Sequence, residues 1–200
     1  MLKVGITGGI GSGKTTVCQI FAALGIPIYY ADDRAKALMV EDPALRRGII
    51  DLFGPLAYTD DGQLNRTHLA ERAFANDQLL QQLNNLVHPA VWRDAEAWTR
   101  AHADAPYTLK EAALTYESGG DQFMDRMIVV AAPDEMRIQR VQDRDGLTRQ
   151  QVLDRLNQQM PQQEKIDRAD FVIHNDGRLG LMAQVLDIHQ QLLAEAQKAD

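Results

Sequence analysis

Cysteine is almost absent from this chain, with Cys18 alone among 200 residues. A single cysteine forms no intrachain disulfide, which excludes the disulfide-stapled secreted scaffolds and suits a reducing compartment. Cys18 falls inside an expected helix and reads as a small buried hydrophobe rather than a reactive thiol. Long apolar runs are missing too. No stretch approaches the roughly 20 apolar residues of a membrane span, and the N-terminal apolar run is short and broken at once by glycines, unlike a signal peptide. A soluble, cytoplasmic protein without a membrane partner is expected. Basic charge is scarce: 21 Lys and Arg stand against 28 Asp and Glu, giving a net charge of -7. That balance argues against a nucleic-acid partner but leaves room for a local basic pocket for phosphates. His68, His102, His174 and His189 show no metal-ligand spacing. What remains is ordinary globular composition, 45% hydrophobic and 24% charged, enough for one core with insertions.

Leu2 to Thr7 is a short β-branched run ended by glycines and reads as a buried strand. Lys14 to Leu24 carries helical apolar spacing through Val17, Ile20, Phe21 and Leu24, with Gly25 as a stop. Ile26 to Tyr30 reads as a second strand, completing a βαβ unit. Residues 31 to 105 look mostly helical, with turn signals at Asp42-Pro43, Gly54-Pro55 and Asp60-Asp61-Gly62. Short helices are expected over Asn65 to Asn76 and Asp77 to Leu86, and a longer one over His88 to His102. Strands return at Tyr107 to Glu111, Arg126 to Ala132 and Phe171 to His174. Helices are expected after Pro133, over the glutamine-rich residues 145 to 168, and from Leu179 to Ala196. Strands alternating with helices imply a parallel sheet covered on both faces: an α/β, three-layer fold with an all-helical insertion suited to binding substrate.

The segment Gly8-Gly9-Ile10-Gly11-Ser12-Gly13-Lys14-Thr15 matches G-x-x-x-x-G-K-[ST] at every fixed position. Glycines let backbone curl around phosphates and turn its N–H groups inward. The helix that opens near Lys14 adds its positive end. Lys14 reaches the β- and γ-phosphates, the Thr15 hydroxyl is placed to ligate Mg²⁺, and Thr16 can donate a further hydrogen bond. A chance glycine-rich turn would match the pattern alone, but not its place between a strand and a helix. ATP is therefore expected on residues Gly9 to Thr16. A GTPase switch is disfavoured: there is no N-K-x-D base-recognition motif, and the D-x-x-G at Asp51 to Gly54 lies in a helical segment.

Asp32 and Asp33 directly follow the second strand, where an open parallel sheet binds its ligands. A carboxylate there could orient an attacking hydroxyl or simply cap the next helix; position alone leaves both readings open. Arg137, Arg140 and Arg144 share one face of an expected helix. They could neutralise charge on a transferring phosphoryl group, although a solvated face paired with Glu135 and Asp143 is the commoner use of such a pattern. His88 precedes a proline and reads more simply as a turn or cap residue than as a substrate contact. Glu111 closes a strand, either as a solvated acid or as a holder of a magnesium-bound water. Asn175 and Gly177 form a strand-to-helix turn.

Over nearly its whole length the chain resembles the dephospho-CoA kinases. The resemblance rests on T-G-G-I-G-S-G-K-T-T at Thr7 to Thr16, F-A-x-L-G-I at Phe21 to Ile26, Ala31-Asp32, D-G-x-L-x-R at Asp61 to Arg66, L-x-x-x-x-F at Leu69 to Phe74 and His88-Pro89. It continues through Glu117 to Gly119, R-x-x-x-R-D at Arg140 to Asp145, Gln159, and A-D-x-V-I-x-N-x-G at Ala169 to Gly177. It implies transfer of the ATP γ-phosphate to the 3′-hydroxyl of dephospho-CoA, with Mg²⁺. It also implies a single P-loop kinase unit over 1–200. The core would span about 1–30, 106–139 and 168–200, the helical CoA-binding subdomain 31–105, and a small lid 140–167. Asp32 takes the catalytic position of the family's D-A-D triplet, with Tyr30 in place of the first acid. Arg140 and Arg144 match the lid segment, whereas Arg137 gains no such support. Asn175 and Gly177 would lie beside the adenine, and Arg66, His88 and Glu117 become expected substrate contacts. The family's proline before Glu117 is missing here, in Glu111-Ala112-Ala113-Leu114-Thr115-Tyr116-Glu117. The alternatives are another small-molecule P-loop kinase, for a nucleoside or nucleotide, and a nucleotide-dependent binding protein.

Overall fold

The computed structural model describes residues 1–74 and 76–199. Ala75, inside the expected helix Asn65 to Asn76, and Asp200, the last residue of the expected core, lie outside the described residues. The chain divides into two compact units, Met1–Tyr30 with His102–Asp200, and Ala31–Ala101.

The first unit is built on a parallel sheet of β1 (Leu2–Thr7), β2 (Ile28–Tyr30), β3 (Tyr107–Glu111), β4 (Arg126–Ala131) and β5 (Phe171–His174). Its order is β2-β3-β1-β4-β5, with every pairing parallel. Parallel strands need crossovers, so helices cover the sheet's faces and the strands read as apolar runs. On one face, Val17, Cys18 and Phe21 of α1 (Lys14–Ala23) and Val185, Ile188 and Leu192 of α9 (Leu181–Ala199) pack on Val4, Ile6, Leu109, Ile128 and Ile173. On the other, Met127 and Val129 pack with Tyr116, Met160 and Ile166. Cys18 is fully buried, and burial pushes its thiol up to about 12, so it is a packing residue, not a nucleophile.

Three helices follow β4: α6 (Asp134–Asp145), α7 (Arg149–Asn157) and α8 (Gln162–Asp167). Ile138 and Val141 of α6 pack against Val152 of α7 and against Ile10. This apolar contact brings α6 onto the glycine-rich segment.

The second unit is helical: α2 (Ala31–Glu41), α3 (Pro43–Phe53), a short 3-10 turn at Pro55–Ala57, α4 (Arg66–Phe74) and α5 (Asp77–Ala101). Asp42 caps α3 by accepting from the amides of Ala44 and Leu45 at 2.8 and 3.0 Å. Helices α3 and α5 approach closely, since a Cβ on Gly48 would lie 3.2 Å from Leu86 Cδ1. The structure corrects one expectation here. The two helices expected on either side of Val87 are a single helix of 25 residues that runs through Pro89. An interior proline costs a helix about 3 kcal/mol. Burial of Val87, Ala90, Val91 and Ala95 along the same stretch offsets that penalty.

Candidate active site

The chain leaves the C-terminal end of β1 at Thr7 and winds through Gly8 to Gly13 into α1. Gly11 and Gly13 hold φ of 78° and 94°, the left-handed region that glycine enters without a Cβ penalty. Gly13 is the N-cap of α1 and offers no side chain to its first turn. The amides of that turn are thus left for an anion, where the helix dipole favours negative charge. Lys14 Nζ donates to the Gly8 carbonyl at 2.8 Å and lies 4.0 Å from Glu111 Oε1, so the cation is held across the mouth of the loop. Ser12 is fully buried, and its hydroxyl has no hydrogen-bond partner among the described residues. Leaving a buried donor unmade costs on the order of 1–3 kcal/mol, a cost that a phosphate oxygen would relieve.

Three consecutive carbonyls of the loop are held from outside. Arg137 Nε donates to Ile10 O at 3.1 Å, Arg140 Nη1 to Gly11 O at 3.4 Å, and Asn175 Nδ2 to Ser12 O at 2.8 Å. Arg140 Nη2 also reaches the Asn175 carbonyl at 3.2 Å, which joins α6 to the turn after β5. The Ile10 amide donates to Gln159 Oε1 at 2.9 Å. A peptide whose C=O is turned outward presents the following N–H the other way; the Ser12 amide is taken by Gly9 O at 3.1 Å, so the bonds to Ile10 O and Ser12 O preset the Gly11 and Gly13 amides for a nucleotide's phosphates.

The expected site residues fare differently. Gly9, Ile10, Gly11, Ser12, Gly13, Lys14, Thr15 and Thr16 form one loop and helix start, with the Thr15 and Thr16 side chains exposed. Glu111, Arg140 and Asn175 join them. Gly177 is in the turn that follows, with φ 79°. Arg144 does not meet the loop: its guanidinium makes two bonds to Asp145, at 2.7 and 2.9 Å, and stays exposed. Glu117 is engaged elsewhere. Its Oε1 accepts from the Met160 amide at 2.8 Å and pairs at 2.7 Å with Lys165, which is fully buried. Lys165 also donates to Ala113 O at 3.2 Å, the carbonyl that takes the Thr7 hydroxyl. In the helical unit, Asp32 lies exposed in the first turn of α2, Arg66 opens α4, and His88 lies within α5 beside Pro89. Asp32 comes two residues after Tyr30, the register partner of Glu111.

Arg137 is the residue that sequence reasoning placed on the solvated side. It is only 5% exposed, and burial holds its pKa below the ordinary arginine value. Its spacing with Arg140 shows only that the two arginines share a helix face, not what that face meets. Lys165 carried no comparable signal.

A parallel sheet of this order, whose first strand runs through a phosphate loop into a helix, defines a P-loop kinase class. The comparisons make the family specific. The dephospho-CoA kinase family model matches residues 2–180. A dephospho-CoA kinase of Salinibacter ruber is 44% identical over 181 residues, covering 90% of this chain and 91% of its own. Among solved structures, a Thermus thermophilus protein superposes with a TM-score of 0.85 at 34% identity, covering 95% of this chain and 96% of its own. A dephospho-CoA kinase of Campylobacter jejuni shares the fold with a TM-score of 0.73 at 24% identity, over 96% of this chain and 98% of its own. The chain belongs to the dephospho-CoA kinase family.

Proposed function

We propose that this protein transfers the γ-phosphoryl group of ATP to the 3′-hydroxyl of dephospho-CoA, giving CoA and ADP. The observation that carries the phosphoryl-transfer reading is the loop itself. Its three outer carbonyls are pinned, an uncapped helix start faces the anion site, and Lys14 spans the mouth. The choice of acceptor is supported by the family and by the name of the Salinibacter relative.

Phosphoryl transfer asks a protein mainly for positioning and charge neutralisation. The loop amides and Lys14 bind the β- and γ-phosphates, and Lys14 follows the charge as it moves toward the bridging oxygen. The Ser12 hydroxyl supplies one more donor. The Thr15 hydroxyl and the Glu111 carboxylate are hard oxygen ligands of the kind Mg²⁺ takes and would hold the ion, Glu111 by way of a water. The ion would supply charge neutralisation at the phosphates. Asp32 accepts the hydrogen bond of the ribose hydroxyl and aims its lone pair at phosphorus. Arg140 can close over the transferring group only by leaving the Gly11 and Asn175 carbonyls, and Arg144 only by leaving Asp145. Asn175 and Gly177 border the adenine. Arg66 and His88 contribute acceptor contacts from the helical unit, residues 31–105, and the helices over 140–167 act as the lid. Glu117, with Lys165 and the Met160 amide on its Oε1, braces the loop after β3. The test is ADP release with dephospho-CoA against other alcohols, which must single out dephospho-CoA.

A further inference from the structure

Arg137 and Gly9 are fitted to each other. A Cβ built on Gly9 would collide with Arg137 Nη2, with Cζ 2.5 Å and Nε 3.1 Å away. Gly9 is absent from the residues with positive φ, so a left-handed backbone is not what calls for glycine here. A side chain at this position would have to displace the guanidinium lying against it. Gly11 is a second case: its φ is 78°, and a Cβ there would lie 2.5 Å from the Arg137 carbonyl oxygen. The guanidinium is fixed at both ends, with Nε on Ile10 O at 3.1 Å and Nη1 on Asp134 Oδ1 at 2.9 Å. The other side of the same residue is held too, since the Ile10 amide is bound by Gln159. Ile10 is thus clamped through both its polar groups by side chains that come from outside the loop.

We infer that Arg137, seated against Gly9, is a positioning residue that holds the phosphate loop in its nucleotide-binding shape before nucleotide arrives, with Gln159 as its counterpart on the Ile10 amide. It is distinct from an arginine that reaches over to the transferring group. Nε and Nη1 are committed within the protein, and the bond it makes fixes the outward turn of a carbonyl. A preset loop spares the nucleotide the ordering cost that a free loop would charge on binding. The inference rests on the nucleotide role proposed for the loop, but not on the identity of the acceptor.

The prediction is a defined pattern of ADP affinities, measured by titration calorimetry on the full chain with Mg²⁺ present. Arg137→Ala weakens ADP about tenfold, equivalent to ~1.4 kcal/mol, and raises KM for ATP by a similar factor while kcat at saturating ATP stays within about threefold. Arg137→Lys, which can serve Ile10 O or Asp134 but not both, falls between. Gly9→Ala, which must displace the guanidinium, matches Arg137→Ala, and the double variant is no weaker than either single one, because both remove the same bond. Thermal unfolding without nucleotide checks that each variant is folded. If Arg137→Ala does not fold, the Arg137→Lys and Gly9→Ala affinities decide. The inference is overturned if folded variants bind ADP within about twofold of the parent, if the Gly9 and Arg137 effects multiply, or if kcat falls with ADP affinity unchanged, as for an arginine acting on the transition state. ADP binding involves no acceptor, so loss of activity toward dephospho-CoA alone would sink the proposed function and leave this inference standing.

Discussion

Two carboxylates and one lysine carry much of the proposed chemistry, and their surroundings separate their roles. Lys14 and Glu111 are mostly buried and 4.0 Å apart, where charges interact more strongly than in open water. Asp32 is exposed, in the first turn of α2, while its neighbour Asp33 pairs with Lys36 at 2.8 Å. That division gives Asp33 a surface partner and leaves Asp32 for the acceptor. Asp32→Asn should lower kcat by about two orders of magnitude or more, within the range for a positioned acid or base, while ADP affinity stays within about twofold of the parent. Near-parental kcat in the folded variant would remove Asp32 from the reaction. Residue identities in the loop were legible in the sequence because phosphate binding fixes types at fixed spacing. Arg137 was not legible, because helical periodicity says which residues share a face and nothing about what that face meets. Glu117 shows the same limit: its buried partner Lys165 lies 48 residues away in the chain.

Elements were more readable than contacts. The strand patterns in residues 107–111 and 171–174 coincide with β3 and β5, since short β-branched and aromatic runs between turn residues have few other solutions. The helix through Pro89 escaped because proline is a strong local stop signal, and packing along α5 overrides it. The α7 start is a case where a local rule acts unopposed. Thr148 and Gln151 form a capping box, with the Gln151 amide on Thr148 Oγ1 at 3.3 Å and Gln151 Oε1 on the Thr148 amide at 2.9 Å. Thr148→Ala should destabilise α7 by about 1 kcal/mol. Hydrogen exchange is the suitable measurement, with the bonded amides of Gln151 and Val152 losing protection while those of the central strand β1 are unchanged. Equal loss in β1 would show that α7 does not open as a local unit.

For the molecule as a whole, titratable contacts tie the sheet to its covering helix: Arg126 of β4 pairs with Glu195 of α9 at 2.9 Å, and a second contact involves a histidine. Tyr107 Oη of β3 lies 2.6 Å from His189 Nδ1 of α9. Burial holds the His189 pKa below the ordinary 6.5 and raises that of the Tyr107 phenol. The phenol stays protonated and can donate to a neutral imidazole in the tautomer whose Nδ1 carries no proton. The folded state therefore binds the His189 proton less readily than the unfolded chain. This contribution to stability is full above the unfolded value of about 6.5 and is lost as pH falls from there through the folded value. The thermal midpoint of the parent should drop further between about pH 7 and 5.5 than that of His189→Gln, which keeps an acceptor but does not titrate. Parallel curves would exclude His189 as the source.

The central claim is that a phosphate loop preset from outside serves one acceptor, and steady-state ADP release tests it most directly. With ATP and Mg²⁺, turnover on dephospho-CoA should stand at least about a hundredfold above the water rate, the gap expected of a positioned nucleophile, and nucleosides and other simple alcohols should stay near that rate. Dephospho-CoA turned over no faster than water, with a nucleoside phosphorylated instead, would contradict the account.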